Sequence, residues 1–292
     1  MPKAQVIKMY NGFYYLQIPE KQELLSCRLR GRLKRHKGAV VTGDYVEYEL
    51  LEDGTGIIEK CLPRKSMLLR PAVANIDQVL ITFAAVQPDL NELLLNRFLV
   101  LAEWSGIPEI IICINKCDLN QGQEELLQAY AKAGYRLLPV SAKDGTGLAE
   151  LKAQLAGRVT VFAGPSGVGK SSLLNAVDGS LQLATGKISE KIKRGKHTTR
   201  AACLLPLAGG GTVVDTPGFS AAELENVDKG QLAYYFPEFR PHISQCYYNT
   251  CTHSHEPDCA VKAAVENGTV HPKRYEAYLN ILQTINDRKK VY

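Results

Sequence analysis

Hydrophobic and polar positions change their spacing twice along the chain, which predicts three regions of different architecture. In residues 1–67, apolar and aromatic positions fall in short runs such as GFYYLQI (12–18), DYVEYEL (44–50) and GIIEKCL (56–62), separated by Gly, Asn and Asp. Such runs between turn residues are typical of strands. Roughly five of them in one small region predict a β-barrel, with the OB-fold as the leading candidate.

Residues 68–222 show a second pattern, in which buried strands alternate with amphipathic helices. The helical spacing is clearest over 91–104 and 121–133. The apolar runs are QVLITFAAV (78–86), EIIICIN (109–115), RLLPVSA (136–142), RVTVFAG (158–164) and GTVVDTPG (211–218). Near-continuous apolar strands between helices predict a doubly wound, parallel α/β sheet.

The last region, residues 223–292, contains a cluster of Cys and His followed by an amphipathic pattern over 271–292. We expect a mostly α-helical domain that needs a bound metal to supplement its small core. The sequence therefore predicts a multi-domain protein: an OB-fold domain over 1–67, an α/β domain over 68–222 and a helical metal-binding domain over 223–292.

Composition indicates the cellular compartment in which the protein works. The longest apolar run, VLITFAAV (79–86), is far too short to span a bilayer, and the N-terminus lacks an apolar signal core. Five of the eight cysteines are scattered along the chain, which argues against a disulfide framework. We therefore expect a cytoplasmic protein with free thiols and no membrane association, and we expect a monomer.

The strongest chemical signal is GPSGVGKS (164–171), which follows one predicted strand and precedes a helical pattern. This spacing is typical of a phosphate-binding loop, because glycines let the backbone approach phosphate and the helix N-terminus supplies free N–H groups. Lys170 would reach the β- and γ-phosphates, and Ser171 would ligate Mg²⁺. The residues predicted to contact the nucleotide here are Gly164, Pro165, Ser166, Gly167, Val168, Gly169, Lys170, Ser171 and Ser172.

Two further motifs end neighbouring strands and predict that the base is guanine. In NKCD (115–118), Asp118 can accept hydrogen bonds from N1 and N2 of guanine, a donor pair that adenine lacks. Asn115 is placed to meet the base edge and to brace the phosphate loop, and the stem of Lys116 is placed to lie over the base. In the motif SAK, formed by Ser141, Ala142 and Lys143, the Ala142 N–H would donate to O6.

A fourth motif, DTPG (215–218), follows the last predicted strand of this region. Asp215 is placed to hold the hydration shell of the Mg²⁺, and the Gly218 N–H to contact the γ-phosphate. A phosphate loop alone would also fit a metabolic kinase or an ATPase, and the guanine-specific NKCD argues against that alternative.

The order of these motifs is unusual, because the base-reading loop precedes the phosphate loop along the chain. All four motifs lie on loops outside the carboxyl ends of strands, where a doubly wound sheet binds its ligand. If the original termini of such a domain are joined at 144–157 and the chain is opened so that its new ends lie near 70 and 222, every loop keeps its place. The order therefore predicts a circularly permuted P-loop GTPase domain.

The predicted barrel lies N-terminal to these motifs and the Cys/His cluster lies C-terminal to them. With this arrangement the sequence resembles the RsgA (YjeQ/YloQ-type) GTPases over essentially the whole chain. The resemblance implies a GTPase that turns over slowly alone, binds the small ribosomal subunit and its rRNA, and is stimulated by the subunit. It also implies a role in late maturation of the subunit, with GTP hydrolysis coupled to release.

The catalytic residues are predicted on the basic segment between the two phosphate motifs. Thr198 or Thr199 would close over Mg²⁺ and the γ-phosphate, and the sequence does not choose between them. Phe219 stands where many GTPases have the Gln that orients the attacking water. His197 is the local candidate for that role, since imidazole hydrogen-bonds water near neutral pH, and the resemblance supports it. The predicted catalytic set is His197, Lys170, Thr198 and Thr199.

The motif CYYNTCTHSHEPDC places Cys246, Cys251, His253 and Cys259 at C-x4-C-x-H-x5-C spacing. Three thiolates and one imidazole form a closed tetrahedral zinc site, which stabilises a fold and leaves no open position for water. His255 is a competing ligand, and a set of free cysteines is the plain alternative. The resemblance favours His253 as the fourth ligand.

A basic run follows one of the predicted barrel strands: Arg28, Arg30, Arg32, Lys34, Arg35 and Lys37. Its alternation predicts that four of these charges share one face of a strand. On an OB-fold such a face suits RNA phosphates, and a solvated surface is the alternative. A further alternative is an RNA-binding module with an inactive GTPase domain, against which the intact Lys170, Ser171 and Asp215 argue.

Overall fold

The computed structural model describes residues 1–18, 23–34, 40–69, 72–119, 124–183, 202–215, 224 and 226–288. These residues form a β-barrel, a parallel α/β sheet and a helical C-terminal unit, in that order along the chain. The predicted fold class is therefore confirmed. Six residues with predicted roles lie outside the described residues, and their roles stay predictions: Arg35, Lys37, His197, Thr198, Thr199 and Gly218.

The N-terminal region is a five-stranded antiparallel barrel with one parallel pair. Its strands are β1 (Lys3–Tyr10), β2 (Phe13–Gln17), β3 (Leu24–Leu29), β4 (Tyr45–Leu50) and β5 (Gly56–Cys61). They lie in the order β1-β2-β3-β5-β4, and β4 also pairs with β1 and closes the barrel. Alternate side chains, among them Val6, Leu16 and Cys27, point inward and form the barrel core.

The basic run does not continue as a strand. It turns after β3 into one helical turn, α1 (Gly31–Lys34), so the prediction that four charges share one strand face is wrong. Arg28 alone of the run lies on β3, whereas Arg30 and Arg32 both form ion pairs with Glu59.

β3 has two partner strands, β2 and β5, and it ends where β2 begins. The register pairs Tyr14 with Cys27, so Arg28 lies opposite Phe13, the first residue of β2. The chain beyond Phe13 is the turn at Asn11 and Gly12. The ladder between β2 and β3 therefore ends here, and the pairing of β3 with β5 ends at Leu29 and Ile58, where the chain leaves the sheet.

The central region is a doubly wound sheet. A short hairpin, β6 (Met67–Leu69) and β7 (Ala72–Ala74), precedes it. Five parallel strands follow in the order β10-β9-β8-β11-β13, namely β8 (Gln78–Ala84), β9 (Glu109–Asn115), β10 (Arg136–Pro139), β11 (Val159–Ala163) and β13 (Thr212–Asp215). The described helices of this region are α2 (Glu92–Trp104), α3 (Glu124–Lys132), α4 (Leu148–Leu155) and α5 (Lys170–Val177).

One strand of this sheet was not predicted. The strand β12 (Cys203–Pro206) runs antiparallel beside β13 and pairs at Cys203 with Lys8 of β1. The Thr42 hydroxyl of the barrel also donates to the Ala202 carbonyl at 3.0 Å. The barrel and the α/β sheet therefore form one hydrogen-bonded sheet, joined through β12.

The predicted joint of the permuted domain contains α4. Buried side-chain amides hold this helix against the sheet through hydrogen bonds. The Gln154 amide donates to Gln78 Oε1 at 2.6 Å, and Gln78 donates to Thr160 Oγ1 at 2.8 Å. All three side chains are buried. Since buried polar groups are costly unless satisfied, this network fixes the joint at the amino ends of β8 and β11.

The C-terminal unit consists of α6 (Arg240–Ile243), α7 (Ala260–Glu266) and α8 (Pro272–Arg288), with two 3₁₀ turns before α6. Val100 of α2 belongs to its apolar core. The fully buried Arg274 pairs with Glu238 at 2.6 Å and donates to Asn96 of α2. The Arg274–Glu238 pair lies within the C-terminal unit, and the hydrogen bond to Asn96 joins the unit to the α/β domain. Across the described part of the chain, every helix is too short or too polar for a membrane span.

Candidate nucleotide site and metal centre

The predicted nucleotide motifs meet at one edge of the parallel sheet. Asn115 ends β9, Ser141 follows β10, Gly164 follows β11 and Asp215 ends β13. Because these strands are parallel neighbours, their carboxyl ends bring the four loops together although the motifs are far apart in the chain.

Asn115 connects three of these loops through one buried side chain. Its amide nitrogen donates to the Val168 carbonyl of the phosphate loop at 2.8 Å. Its Oδ1 accepts from the backbone N–H of Lys116 at 2.8 Å and of Ala142 at 3.4 Å. One side chain therefore holds NKCD, SAK and the phosphate loop in a fixed relation.

The phosphate loop needs glycine at two points of close approach. Gly164 has φ of 130°, and a Cβ there would overlap the Thr82 carbonyl oxygen. Gly169 has φ of 93°, and a Cβ there would overlap the Asn115 amide nitrogen. Both positions lie in backbone conformations that only glycine adopts without strain.

Lys170 is folded back over this loop. Its ammonium group donates to the carbonyls of Gly164 at 2.8 Å and Pro165 at 2.7 Å. It therefore lies over the turn that a nucleotide's phosphates would enter. Ser171 and Ser172 occupy the first turn of α5, where the backbone N–H groups carry the positive end of the helix dipole.

The base loop is positioned by its neighbours on both sides. Lys116 has φ of 60°, and its ammonium group donates to the Gln87 carbonyl after β8. Asp118 is exposed on a 3₁₀ turn, where its carboxylate is accessible to a base. The buried Ser141 hydroxyl accepts from the Lys143 N–H at 3.2 Å and orders the SAK loop.

We expect Gly169→Ala to weaken GTP binding at least tenfold and to lower the thermal unfolding midpoint. The added methyl group would push Asn115 away from the phosphate loop and would hold the backbone in a strained conformation that costs about 1–3 kcal/mol. Nucleotide titration and thermal unfolding of both proteins would measure these effects. Gly179→Ala is the matched control, because that glycine lacks a positive φ and has open space at its Cβ.

The C-terminal Cys/His cluster has the geometry of a tetrahedral metal site. The Nδ1 atom of His253 lies 3.5 Å from the sulfurs of Cys246 and Cys259, and those two sulfurs are 4.0 Å apart. All four ligand atoms, including that of Cys251, lie within 4.8 Å of one another. A zinc ion with ordinary Zn–S and Zn–N bonds separates its ligand atoms by roughly 3.5–3.8 Å, so this cluster fits one. His255 is exposed and lies outside the cluster.

Groups that the sequence analysis did not identify hold the cluster in shape. The hydroxyls of Tyr275 and Tyr278 donate to the carbonyls of His253 at 2.8 Å and Thr252 at 2.5 Å. The two tyrosines are three residues apart on α8, a spacing that shows they share a helix face. Nothing in that spacing indicates which loop they contact.

A carboxylate organises the same loop. The Glu256 carboxylate accepts from the Thr252 N–H at 2.7 Å, the Thr252 hydroxyl at 2.6 Å and the Ser254 N–H at 3.0 Å. Burial raises its pKa, and these hydrogen bonds outweigh burial and lower the pKa to about 2. Burial also lowers the pKa of His253, which keeps its ring neutral and its nitrogen lone pair available.

Comparison with known proteins places this site in a family. Residues 61–225 match the RsgA GTPase family, and residues 3–58 match the RsgA N-terminal domain. A protein named small ribosomal subunit biogenesis GTPase RsgA from Clostridium botulinum (strain 657 / Type Ba4) is 42% identical over 290 residues, covering 99% of both chains. The protein of the same name from Caldanaerobacter subterraneus subsp. tengcongensis is 41% identical, covering 99% of this chain and 97% of its own.

Two solved structures share the fold. The crystal structure of YjeQ from Thermotoga maritima matches with a TM-score of 0.82 at 36% identity, covering 97% of this chain and 98% of that chain. YloQ, described as a circularly permuted GTPase, matches with a TM-score of 0.80 at 38% identity, covering 99% and 96%. The predicted resemblance and the predicted permutation are confirmed, and this chain belongs to the RsgA family of circularly permuted GTP hydrolases.

Proposed function

We propose that the edge formed by β9, β10, β11 and β13 binds GTP or GDP. The observation that carries this proposal is the Asn115 side chain, which links the base loop, SAK and the phosphate loop. Asp118 would accept from guanine, Lys170 would exchange its loop carbonyls for the β- and γ-phosphates, and the N–H groups of the loop would surround the phosphates. The proposed contacts are Asn115, Lys116, Asp118, Ser141, Ala142, Lys143, residues 164–172, Asp215 and Gly218.

The residues that would surround the phosphates also offer oxygen ligands to Mg²⁺. Ser171, Asp215 and either Thr198 or Thr199 would hold the ion, which would neutralise charge on the β- and γ-phosphates. His197 would orient the attacking water, since Phe219 cannot. Because no Gln occupies that position, we expect the free enzyme to turn over far more slowly than the roughly ten per second of a typical enzyme.

We propose one structural zinc ion, held by Cys246, Cys251, His253 and Cys259. The sulfur and nitrogen distances support it, and so does the donor set, because three thiolates and one imidazole prefer zinc to magnesium or calcium. With all four positions taken by protein atoms, the ion would stabilise the fold of the C-terminal unit.

We propose that the chain is a cytoplasmic, monomeric GTPase that binds the small ribosomal subunit and its rRNA and assists late maturation. The relatives' name, small ribosomal subunit biogenesis GTPase, supports this partner. The three predicted domains, 1–67, 68–222 and 223–292, would divide the work into RNA binding, hydrolysis and a zinc-stabilised support. In the first domain, phosphate contacts would come from Arg28, Arg30, Arg32, Lys34, Arg35 and Lys37.

GTP hydrolysis with and without purified small ribosomal subunits tests this proposal. We expect the subunits to stimulate the wild-type rate at least tenfold, and Ser171→Ala to abolish the stimulated rate, because the mutant loses a ligand of Mg²⁺. Ser180→Ala is a matched control, since that serine lies outside the phosphate loop. A wild-type rate that ignores the subunits would contradict the proposed partner and would leave the GTP site itself intact.

A further inference from the structure

The first strand of the barrel contributes to two hydrophobic cores. Val6 and Lys8 both have partners on β2, and Ile7 between them is an extra residue that forms a β-bulge. A bulge bends the strand locally and changes the direction in which side chains point. Val6 is buried in the barrel core, whereas Ile7 is buried in the core of the α/β domain. The barrel and the α/β domain therefore share β1 as a common wall.

Beyond this bulge, one row of backbone positions leads from the barrel to a predicted ligand of Mg²⁺. Lys8 of β1 pairs with Cys203 of β12, and Cys203 pairs in turn with Asp215 at the end of β13. These three residues lie side by side on adjacent strands. Since neighbouring strands are about 4.8 Å apart, the backbone of the barrel lies roughly 10 Å from the backbone of Asp215.

A buried hydroxyl of the barrel also holds the residue that precedes β12. The Thr42 hydroxyl donates to the Ala202 carbonyl at 3.0 Å, and both residues are almost completely buried. Thr42 is itself held in place, because its carbonyl accepts from the Ala74 N–H at 2.9 Å. In the sequence, two residues separate Ala202 from Thr199. The barrel therefore fixes the point at which the segment with the predicted catalytic residues joins the sheet.

We call Lys8, Thr42, Ala202 and Cys203 the junction. We propose that the junction positions the side of the GTPase site that would bind Mg²⁺ and the attacking water, with Thr42 as a positioning residue for GTP hydrolysis. The proposal rests on the roles proposed for residues 197–199 and Asp215, and it adds a residue of the barrel to the reaction. Separating the two buried groups would leave a donor and an acceptor unpaired, so Ala202 stays where Thr42 holds it.

The position of the junction predicts which kinetic constant depends on it. The loops that would hold the base and the β-phosphate follow β9, β10 and β11, and the contacts of Asn115 and Lys170 that order them do not involve the junction. A change at Thr42 should therefore slow the reaction and leave the affinity for GTP intact. Because Thr42 belongs to the barrel, a partner bound to the barrel would act on the reaction through the same contact.

Steady-state GTP hydrolysis by full-length Thr42→Val, with and without small ribosomal subunits, tests the proposal. Valine has nearly the shape of threonine and cannot donate, so the Ala202 carbonyl loses this donor. We expect kcat to fall about 5- to 100-fold in both conditions, since a displacement of about 1 Å can slow a reaction about 100-fold. KM for GTP should stay within about twofold of the wild-type value. Thr42→Ser keeps the hydroxyl and should return kcat to within about twofold of wild type.

Ser66→Ala is the matched control, because the buried Ser66 hydroxyl donates to the Ile76 carbonyl at 2.7 Å and lies outside the junction. It should lower the thermal unfolding midpoint as Thr42→Val does, and it should keep the wild-type kcat. Rates are expressed per nucleotide-binding site, which separates slow hydrolysis from loss of folded protein. Thr42→Ala also lacks the donor, so it should show the same loss of kcat and replaces Thr42→Val if that variant does not fold.

An unchanged kcat in Thr42→Val would overturn the proposal, as would an equal loss of kcat in Ser66→Ala or Thr42→Ser. A rise in KM without a loss of kcat would also overturn it. His197→Ala, measured beside these variants, tests the catalytic role proposed for that histidine, and the response of the wild type to subunits tests the proposed partner. Neither result depends on Thr42, so failure of this inference and failure of the proposed function are distinguishable.

Discussion

Purified Cys259→Ser protein should contain no stoichiometric zinc, and its C-terminal unit should unfold. Besides the cluster, the unit is held by one apolar core and by the buried Arg274, and Cys259 is the N-cap of α7. Structural zinc contributes an apparent 10–16 kcal/mol to the folding of small zinc domains near neutral pH, more than such a core supplies. Metal analysis by atomic emission and limited proteolysis of the region 224–288 would measure both effects, and a chelator should reproduce them in the wild type.

The scattered cysteines provide the control for this experiment. Cys203→Ser changes a partly exposed thiol outside the cluster and should retain one zinc per chain. His253→Ala should lose zinc, whereas His255→Ala should keep it, because His253, unlike His255, lies within reach of the sulfurs. Full zinc content in Cys259→Ser, or equal loss in both histidine variants, would show that the ligand set is wrong.

Much of the fold could be predicted because its strong signals are local. The strands β8, β9 and β11 are almost wholly apolar, and β9 and β11 run directly into loops with recognisable motifs. The site followed from the same signals: the predicted contact between Asn115 and the phosphate loop is present as a 2.8 Å hydrogen bond to Val168. Parallel strands bring such loops together regardless of their order in the chain, so the permutation did not obscure the site.

Other features depend on partners that are distant in sequence. β12 is four residues long and exists because β13 and Lys8 of β1 pair with it on either side. The basic run alternates like a strand, yet the chain leaves the sheet after β3 and forms α1. Tyr275 and Tyr278 support the metal cluster from α8, more than 20 residues further along the chain. Patterns within a short window contain no information about such partners.

The Asn115 contacts have a consequence for how the site senses the base. Its Oδ1 holds the backbone N–H of Lys116 beside the base loop, and its amide nitrogen holds the carbonyl of Val168 beside the phosphates. A guanine that orders the base loop would therefore affect the Asn115 side chain. That side chain is hydrogen-bonded to the phosphate loop. We therefore expect the free energy of base recognition to be coupled to phosphate binding, so that a change in the base-reading residues also lowers the affinity for the triphosphate.

Asp118→Asn should weaken GTP binding by roughly 10²- to 10⁴-fold and should create affinity for xanthosine triphosphate. The carboxylate would accept from the N1 and N2 donors of guanine, and each charge-assisted hydrogen bond contributes about 1.5–3 kcal/mol. Xanthine carries a carbonyl oxygen in place of the N2 amino group. The amide of the variant would donate to that oxygen and accept from N1, so binding of the xanthine nucleotide should recover most of the loss. Fluorescence titration with labelled nucleotides would measure both affinities.

Asp89→Asn removes an exposed carboxylate elsewhere in the same domain and should leave both affinities unchanged. The Asp118 variant should retain the wild-type unfolding midpoint without nucleotide, because Asp118 is exposed on a short turn and contributes little to the core. Equal loss of affinity for both nucleotides would mean that the change disturbs the loop rather than the reading of the base. Recovery with the xanthine nucleotide alone would identify this carboxylate as the group that selects guanine.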